Sequence, residues 1–273
     1  MGKFDGILIC TDLDGTLYRN DKSISQENKE AIEHFKREGG YFTFITGRMP
    51  YYSQSAYQAA APNVPFGCVN GGGVYDGATR EYIFKKPMPE GVIGLIEAVE
   101  KAVPNVGIQV CRFENTYFAK ENDVMVEFRR ITGIPNLPCD YRTIEGPFAK
   151  ILFGAAYEEE IQEIEKTLKR HPLADRFDFI RSEQHLYEIL PKGVDKGLAL
   201  KKLIEYLKLD RKKSIAIGDY NNDIGMFRTA GLGIAVSNAC KEALAAADRV
   251  TVSNEEHAIA RVIRDLDGGE ILL

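Results

Sequence analysis

Residues 7–16 read Ile-Leu-Ile-Cys-Thr-Asp-Leu-Asp-Gly-Thr. A short apolar run suited to a buried strand stops abruptly in two carboxylates spaced i, i+2, followed by a glycine and a hydroxyl. In an open α/β sheet the carboxyl ends of the strands are where ligands bind. Alternation along the last extended residues places Asp12 and Asp14 on one side. Two acids at a strand mouth can divide the roles of nucleophile and acid/base. The competing reading is a plain turn, since Asp-Gly pairs are common turn formers.

Three further segments favour the first reading. Residues 214–223, Ser-Ile-Ala-Ile-Gly-Asp-Tyr-Asn-Asn-Asp, form a second short apolar run that ends in Asp219, with Asp223 four residues on. Residues 42–48 form a third, ending in Thr46-Gly47-Arg48. Residues 191–197 place Lys192 and Lys196 in a glycine-containing turn ahead of a helical pattern. Carboxylates, a hydroxyl and a lysine at strand ends are the components of Mg²⁺-assisted phosphoryl transfer. A hard cation takes oxygen ligands, and with one or two carboxylates it completes its shell with water and substrate phosphate. The lysine neutralises phosphate oxygens as a point charge.

In this order, Asp12-Leu-Asp14-Gly-Thr16, Thr46-Gly-Arg48, Lys196 and Gly218-Asp219-Tyr-Asn-Asn222-Asp223 resemble the haloacid dehalogenase superfamily, and within it the Cof-type phosphatases. Asn70-Gly71-Gly72, the run 187–193 and the turn Ser237-Asn238-Ala239 extend the resemblance over nearly the whole chain. It implies Asp12 as nucleophile, Asp14 as acid/base and Thr46 and Lys196 holding phosphoryl oxygens. It further implies Mg²⁺ on Asp12, Asp14, Asp219 and Asp223, Asp223 acting either as a ligand or from behind the ligands. Arg48, Asn70, Gly71 and Asn222 would lie against the substrate. After Asn254 the chain departs from the family pattern, carrying Glu255-Glu256-His257-Ala258, a change that bears on the loop there.

Composition fits a soluble intracellular enzyme. The 273 residues are 44% hydrophobic and 27% charged, close to globular averages. A net charge of −5 without a Lys/Arg run argues against nucleic acid or an anionic membrane as partner. No stretch approaches the roughly 20 apolar residues of a spanning helix. The cysteines, at 10, 68, 111, 139 and 240, are odd in number and widely spaced, which suits a reducing cytoplasm better than a disulfide or zinc framework.

The pattern along the chain predicts an α/β fold, a Rossmann-like parallel-sheet core with an inserted α+β cap domain. Core segments 1–86 and 188–273 flank a cap over 87–187. In the first segment, strands at 7–11, 41–46 and 66–69 alternate with helices, the first capped at Ser23 or Ser25, with Ser23 and Gln26 spaced as a capping box. A hairpin turning at Asp76-Gly77 follows. Hairpins and packed helices replace βαβ units from about 90 to 185. Helix 196–207, strand 214–218, helix 239–247, strand 249–252 and helix 255–264 complete the core. Arg112, Tyr117 and Arg181 are the cap's candidates for specificity. Asp265-Leu-Asp267-Gly268 repeats the opening motif, yet it follows a helical pattern and Gly269 replaces the threonine, so it reads as the frayed end of a helix. Lys192 reads as a solvated loop charge.

The expected activity is Mg²⁺-dependent hydrolysis of small phosphate monoesters, sugar phosphates or related metabolites, through an aspartyl phosphate. Two alternatives stand beside it. A phosphomutase would share the covalent step but return the phosphoryl group to a sugar hydroxyl. A non-catalytic metabolite-binding or regulatory protein would keep the fold without needing Asp14 beside Asp12.

Overall fold

The opening apolar run forms β1 (Leu8–Thr11), buried along its whole length. A computed structural model describes residues 2–273 of the chain. α1 (Gln26–Arg37) buries Ile32 and Phe35 and starts at Ser25, whose side chain accepts from the Asn28 N–H. Ser23 does not cap it. Its hydroxyl donates to Asp21, because the cap must be the extended residue directly before the first helical turn, and that residue is Ser25. β2 (Tyr41–Phe44) and α2 (Gln54–Ala60) follow, then β3 (Phe66–Cys68), β4 (Gly73–Asp76) and β5 (Glu81–Lys85).

The middle of the chain supplies α3 (Val92–Ala102), β6 (Gly107–Arg112), β7 (Thr116–Lys120), α4 (Asp123–Thr132), β8 (Phe148–Gly154), α5 (Glu158–Arg170), β9 (Phe177–Glu183) and β10 (Leu186–Pro191). The last stretch supplies α6 (Lys196–Leu207), β11 (Ser214–Gly218), α7 (Ile224–Thr229), β12 (Leu232–Val236), α8 (Lys241–Ala246), β13 (Arg249–Thr251) and α9 (Ala258–Asp267). Contacts divide these elements into two compact units, one of the segments up to Lys85 and from Asp195 to Leu273, the other of Lys86–Val194.

In the first unit five strands in the order β13-β12-β11-β1-β2 pair in parallel. Leu8 lies between Ser214 and Tyr41, and Thr11 between Ile217 and Phe44, so β1, β2 and β11 end at one level. Helices between parallel neighbours cover the sheet, and Ala199, Leu200, Leu203, Met226 and Phe227 pack against Leu8, Cys10 and Ala216. Each such fully buried aliphatic or aromatic side chain contributes about 1.5–3 kcal/mol. β3 leaves this parallel order. It pairs antiparallel with β4 in a three-stranded sheet, and meets the core sheet at the parallel bridge Ile45–Gly67 and where Phe66 stacks on Phe44.

The second unit is α+β. Its sheet, β7-β6-β8-β10-β9, is antiparallel throughout. Leu95, Ile96 and Val99 of α3 and Ile161, Ile164 and Leu168 of α5 pack on one face, against Ile108, Val110, Ile151, Phe153, Tyr187 and Ile189. The unit extends to Val194, beyond the end expected at 187, because Leu186–Pro191 pairs with both β8 and β9 and so belongs to this sheet. The molecule is thus a Rossmann-like parallel core with an inserted α+β unit.

Candidate active site

Asp12 directly follows β1, and its N–H donates to the Ile217 carbonyl at 2.8 Å, continuing the β1–β11 ladder one step past the strand. Gly15 then turns the chain at φ +81°. A Cβ there would stand 2.5 Å from Asp219 Oδ2, so only glycine lets the loop pass this close to the second acidic strand end. The Thr16 hydroxyl donates to Asp219 Oδ1 at 2.7 Å and ties the two loops together.

Lys196, the first residue of α6, is 1% exposed. Its Nζ lies 2.6 Å from Asp12 Oδ1 and 2.5 Å from Asp223 Oδ1. The other Asp223 oxygen accepts from the Asp219 and Tyr220 N–H groups, each at 2.9 Å. Asp223 therefore bridges the lysine and the backbone at the end of β11. Asp12, Asp219 and Asp223 together present oxygens that all lie within 4.8 Å of one another.

Electrostatics set the acids apart. Burial pushes the Asp12 carboxyl well above the usual carboxylate range, Lys196 pulls it down, and Asp223 and Asp219 add like-charge repulsion. Burial, then Asp223, raise Asp219 to about 6, against the Thr16 hydrogen bond and Lys196. Burial also works against the charge on Lys196, but Asp12 and Asp223 outweigh it and hold the ammonium more firmly protonated than a free lysine. Asp14 differs. Burial raises it, but Arg48 and Lys22 overcome that and leave its carboxyl below the usual range. Arg48 Nη2 contacts its two oxygens at 2.8 and 3.1 Å, and Lys22 Nζ lies at 2.9 Å.

Three carboxylates share this small space with one lysine, an excess of negative charge in an all-oxygen donor set. That set fits a hard divalent cation, and the cluster contains no His or Cys to favour zinc.

Thr46 follows β2, its hydroxyl accepting from the Arg48 N–H at 3.3 Å. The Asn70 N–H donates to the Thr46 carbonyl, and the Asn70 side-chain oxygen accepts from Asn222 Nδ2 at 3.2 Å. Gly71, at φ +100°, passes so near the start of α6 that a Cβ would overlap the Asp195 carbonyl at 1.8 Å. Asp195 caps α6 by accepting from the Leu198 N–H and so sets the lysine's position. Thr46, Asn70, Gly71 and Asn222 are thereby linked to one another and to the helix that carries Lys196.

Other candidates lie elsewhere. Asp267 closes α9 and pairs with Lys3, 2.8 Å away, so the second Asp-Leu-Asp-Gly sits at a helix end. Lys192 pairs with Asp178 at 2.7 Å. In the second unit Arg181 is engaged by Glu158, Tyr117 packs against the helix-side core, and Arg112 lies 3.9 Å from Glu114. Lys22 lies outside every motif, and Asn238 enters one only as a turn residue. Lys22 sits in left-handed backbone, and only a contact across the loop shows its role. Asn238 donates to the Gly15 carbonyl at 2.8 Å and accepts from the Asn254 N–H at 3.0 Å. Past Asn254 the unusual Glu255 pairs with Arg19 and the Asn20 N–H, and His257 turns through left-handed backbone into α9.

A sequence model of haloacid dehalogenase-like hydrolases matches residues 9–263. The chain belongs to this family. Over 265 residues it is 31% identical to the 5-amino-6-(5-phospho-D-ribitylamino)uracil phosphatase YitU of Bacillus subtilis, covering 94% of this chain and 96% of that protein. It is 27% identical over 289 residues to the B. subtilis phosphatase YwtE, which carries the same substrate name, covering 96% of this chain and 98% of the relative. Among solved structures, a haloacid dehalogenase-like hydrolase from Bacteroides thetaiotaomicron superposes with a TM-score of 0.84 at 26% identity, over 95% of this chain and 99% of that one. As a haloacid dehalogenase-like hydrolase with such relatives, the chain is an enzyme of the phosphatase type. Among the described residues no helix is long and apolar enough to cross a membrane.

Proposed function

We propose that the enzyme hydrolyses small phosphate monoesters, sugar phosphates or related metabolites, in a Mg²⁺-dependent reaction through an aspartyl phosphate on Asp12. The observation that carries this is the Asp12–Lys196–Asp223 bridge beside Asp219, a buried lysine holding one oxygen of a carboxylate at a parallel-strand mouth. Asp12, Asp219 and Asp223 would hold the cation, with the Asp14 backbone beside them. When bound, it would supply charge neutralisation and orientation to the phosphoryl oxygens.

The chain's own groups account for the remaining steps. Lys196 engages Asp12 Oδ1, so Oδ2 is the oxygen that attacks phosphorus while the P–O bond to the leaving group breaks. Lys196 and the Thr46 hydroxyl compensate the phosphoryl charge. Asp14, which takes up a proton from solvent once the anionic phosphate draws Arg48 and Lys22 from it, donates that proton to the leaving alkoxide. It then accepts a proton from the water that attacks the phosphoryl group and frees Asp12. Resting Asp14 is ionised under Arg48 and Lys22, the state the second half of the cycle requires. An incoming phosphate, itself anionic, competes for those two cations. We assign the second unit, Lys86–Val194, the choice of leaving group. The intact acid set argues against a mere binding role. We place the enzyme in the cytoplasm, since its five cysteines are free in the fold and suit a reducing compartment.

Phosphate release from an aryl phosphate tests the reading, with and without Mg²⁺ and excess chelator. Mg²⁺-dependent release is expected. Silence towards every ester, full activity in chelator, or isomerisation of a sugar phosphate without phosphate release would each overturn it.

A further inference from the structure

The connection from β1 to α1, residues 12–25, is held from outside along much of its length. Asn238 Nδ2 donates to the Gly15 carbonyl at 2.8 Å, and Asn238 in turn accepts from the Asn254 N–H. The Asn254 side chain, 3% exposed, donates to the Tyr18 carbonyl at 3.0 Å and to Asn20 Oδ1 at 3.3 Å. Glu255 takes the next contacts. Its Oε1 accepts from the Asn20 N–H at 2.7 Å, and its Oε2 from Arg19 Nε at 3.0 Å. All of these residues belong to the first unit.

Past these anchors the loop closes on itself. The Arg19 N–H donates to the Ser23 carbonyl and the Lys22 N–H to the Arg19 carbonyl, each at 2.9 Å. Asp21 Oδ1 accepts from the Ser23 N–H and hydroxyl. Lys22 sits in this turn at φ +65°. Left-handed backbone is costly for a residue with a Cβ, and persists where the surroundings over-determine it. The outcome here is a Lys22 Nζ 2.9 Å from Asp14 Oδ1, on a side chain 65% exposed. So open a side chain has little packing to hold its ammonium, and the course of the backbone sets where it reaches. Glu255 fixes that course at Arg19 and Asn20, the two residues that open the turn.

We propose that Lys22 is a cation that binds the phosphate of the substrate, and that Glu255 is its positioning residue, acting through the Arg19–Ser23 turn. This rests on the phosphatase reading above. Asp14 leaves the same strand end as Asp12, so an anion held at Asp12 comes within reach of the ammonium that faces Asp14. Lys196 is committed to two carboxylates, whereas Lys22 has one and is open to solvent. Glu255 itself carries the wrong sign for an anion site, and by charge alone it would repel phosphate. The clamp reverses that expectation. Removing this acidic residue should weaken anion binding, because Lys22 loses its place.

The test measures the Kd of inorganic phosphate by calorimetry, and kcat and KM on an aryl phosphate, with Mg²⁺ at pH 7. Wild type is compared with Lys22→Met, Glu255→Ala, Glu255→Gln and Lys22→Met/Glu255→Ala. Lys22→Met keeps the stem and the turn and removes only the ammonium. It should raise Kd and KM about fivefold, the upper end for an exposed charge pair, with kcat changing less. Glu255→Ala should raise both about threefold. Glu255→Gln keeps an acceptor for the Asn20 N–H and should recover most of that loss. In the double variant the Glu255 change should add nothing, because its effect passes through Lys22. Tighter phosphate binding by Glu255→Ala, the result of lost repulsion alone, would overturn the proposal, as would an undiminished further loss in the double variant. The two failures stay distinct. An enzyme active on esters whose Kd and KM ignore Lys22→Met counts against this proposal, and one that binds phosphate in the expected pattern but hydrolyses no ester counts against the phosphatase reading.

Discussion

The acidic cluster allows a quantitative test of whether a cation belongs there. Burial and the neighbouring Asp223 raise Asp219 from 3.8 to about 6. Between those values the folded chain holds a proton that the unfolded chain has lost. The metal-free protein therefore loses stability as pH rises through this window, by about 3 kcal/mol for a shift of about two units. A bound cation needs the ionised carboxylate, so it competes with that proton. At about 100 times its pH 7 dissociation constant, Mg²⁺ stabilises the fold by about 2.7 kcal/mol. At pH 5, one unit below the Asp219 value, affinity falls about tenfold and the same Mg²⁺ contributes about 1.4 kcal/mol. The raised Asp12 steepens the fall, so the difference is a lower bound. For a chain of this size it corresponds to about 3 °C in Tm. Calorimetry at pH 5 and 7, with Mg²⁺ or with chelator, should show the larger Mg²⁺ shift at pH 7. Asp219→Asn should shrink the shift at both. Equal shifts at the two pH values, or an undiminished pH-dependent shift in Asp219→Asn, would refute the argument.

Three further outcomes are expected. Asp12→Asn should lower turnover by at least about a thousandfold while the fold persists, whereas Asp267→Asn, at its helix end, should leave turnover essentially unchanged, as steady-state kinetics would show. Lys22→Ala removes one of the two cations that depress Asp14, so the acid limb of the kcat profile should move to higher pH; an unmoved limb would separate Lys22 from the site. Gly71→Ala forces a Cβ against the Asp195 carbonyl in left-handed backbone, and should lower Tm by several degrees as well as activity, because α6 must shift and Lys196 with it.

What the sequence made legible follows from how far each signal reaches. β1 and β11 are apolar runs ending in acids, a local pattern, and both are readable from the residues. The strand Leu232–Val236 escapes the sequence pattern, because the six-residue α7 before it is too short to frame it. The expected boundary at 187 cuts through Leu186–Pro191, which is a strand of the second unit, a proline at a strand's end being compatible with pairing. The acids, Thr46 and Lys196 could be nominated from motifs. Lys22 could not, because only the fold brings its ammonium to Asp14.

The insertion of one unit inside the other also has a consequence in time. β1 pairs with β11 in the register Leu8–Ser214, and Lys196 meets Asp12 across 184 residues of chain. Pairings of such long range are slow, since their closure entropy must be met before they stabilise anything. Lys86–Val194, by contrast, is continuous and emerges complete while β11 is still unmade. During synthesis the centre of the core sheet waits on its last third. Until then Asp12 and Asp14 sit at the end of a half-paired strand, and the buried lysine that balances Asp12 arrives only after the inserted unit has been made.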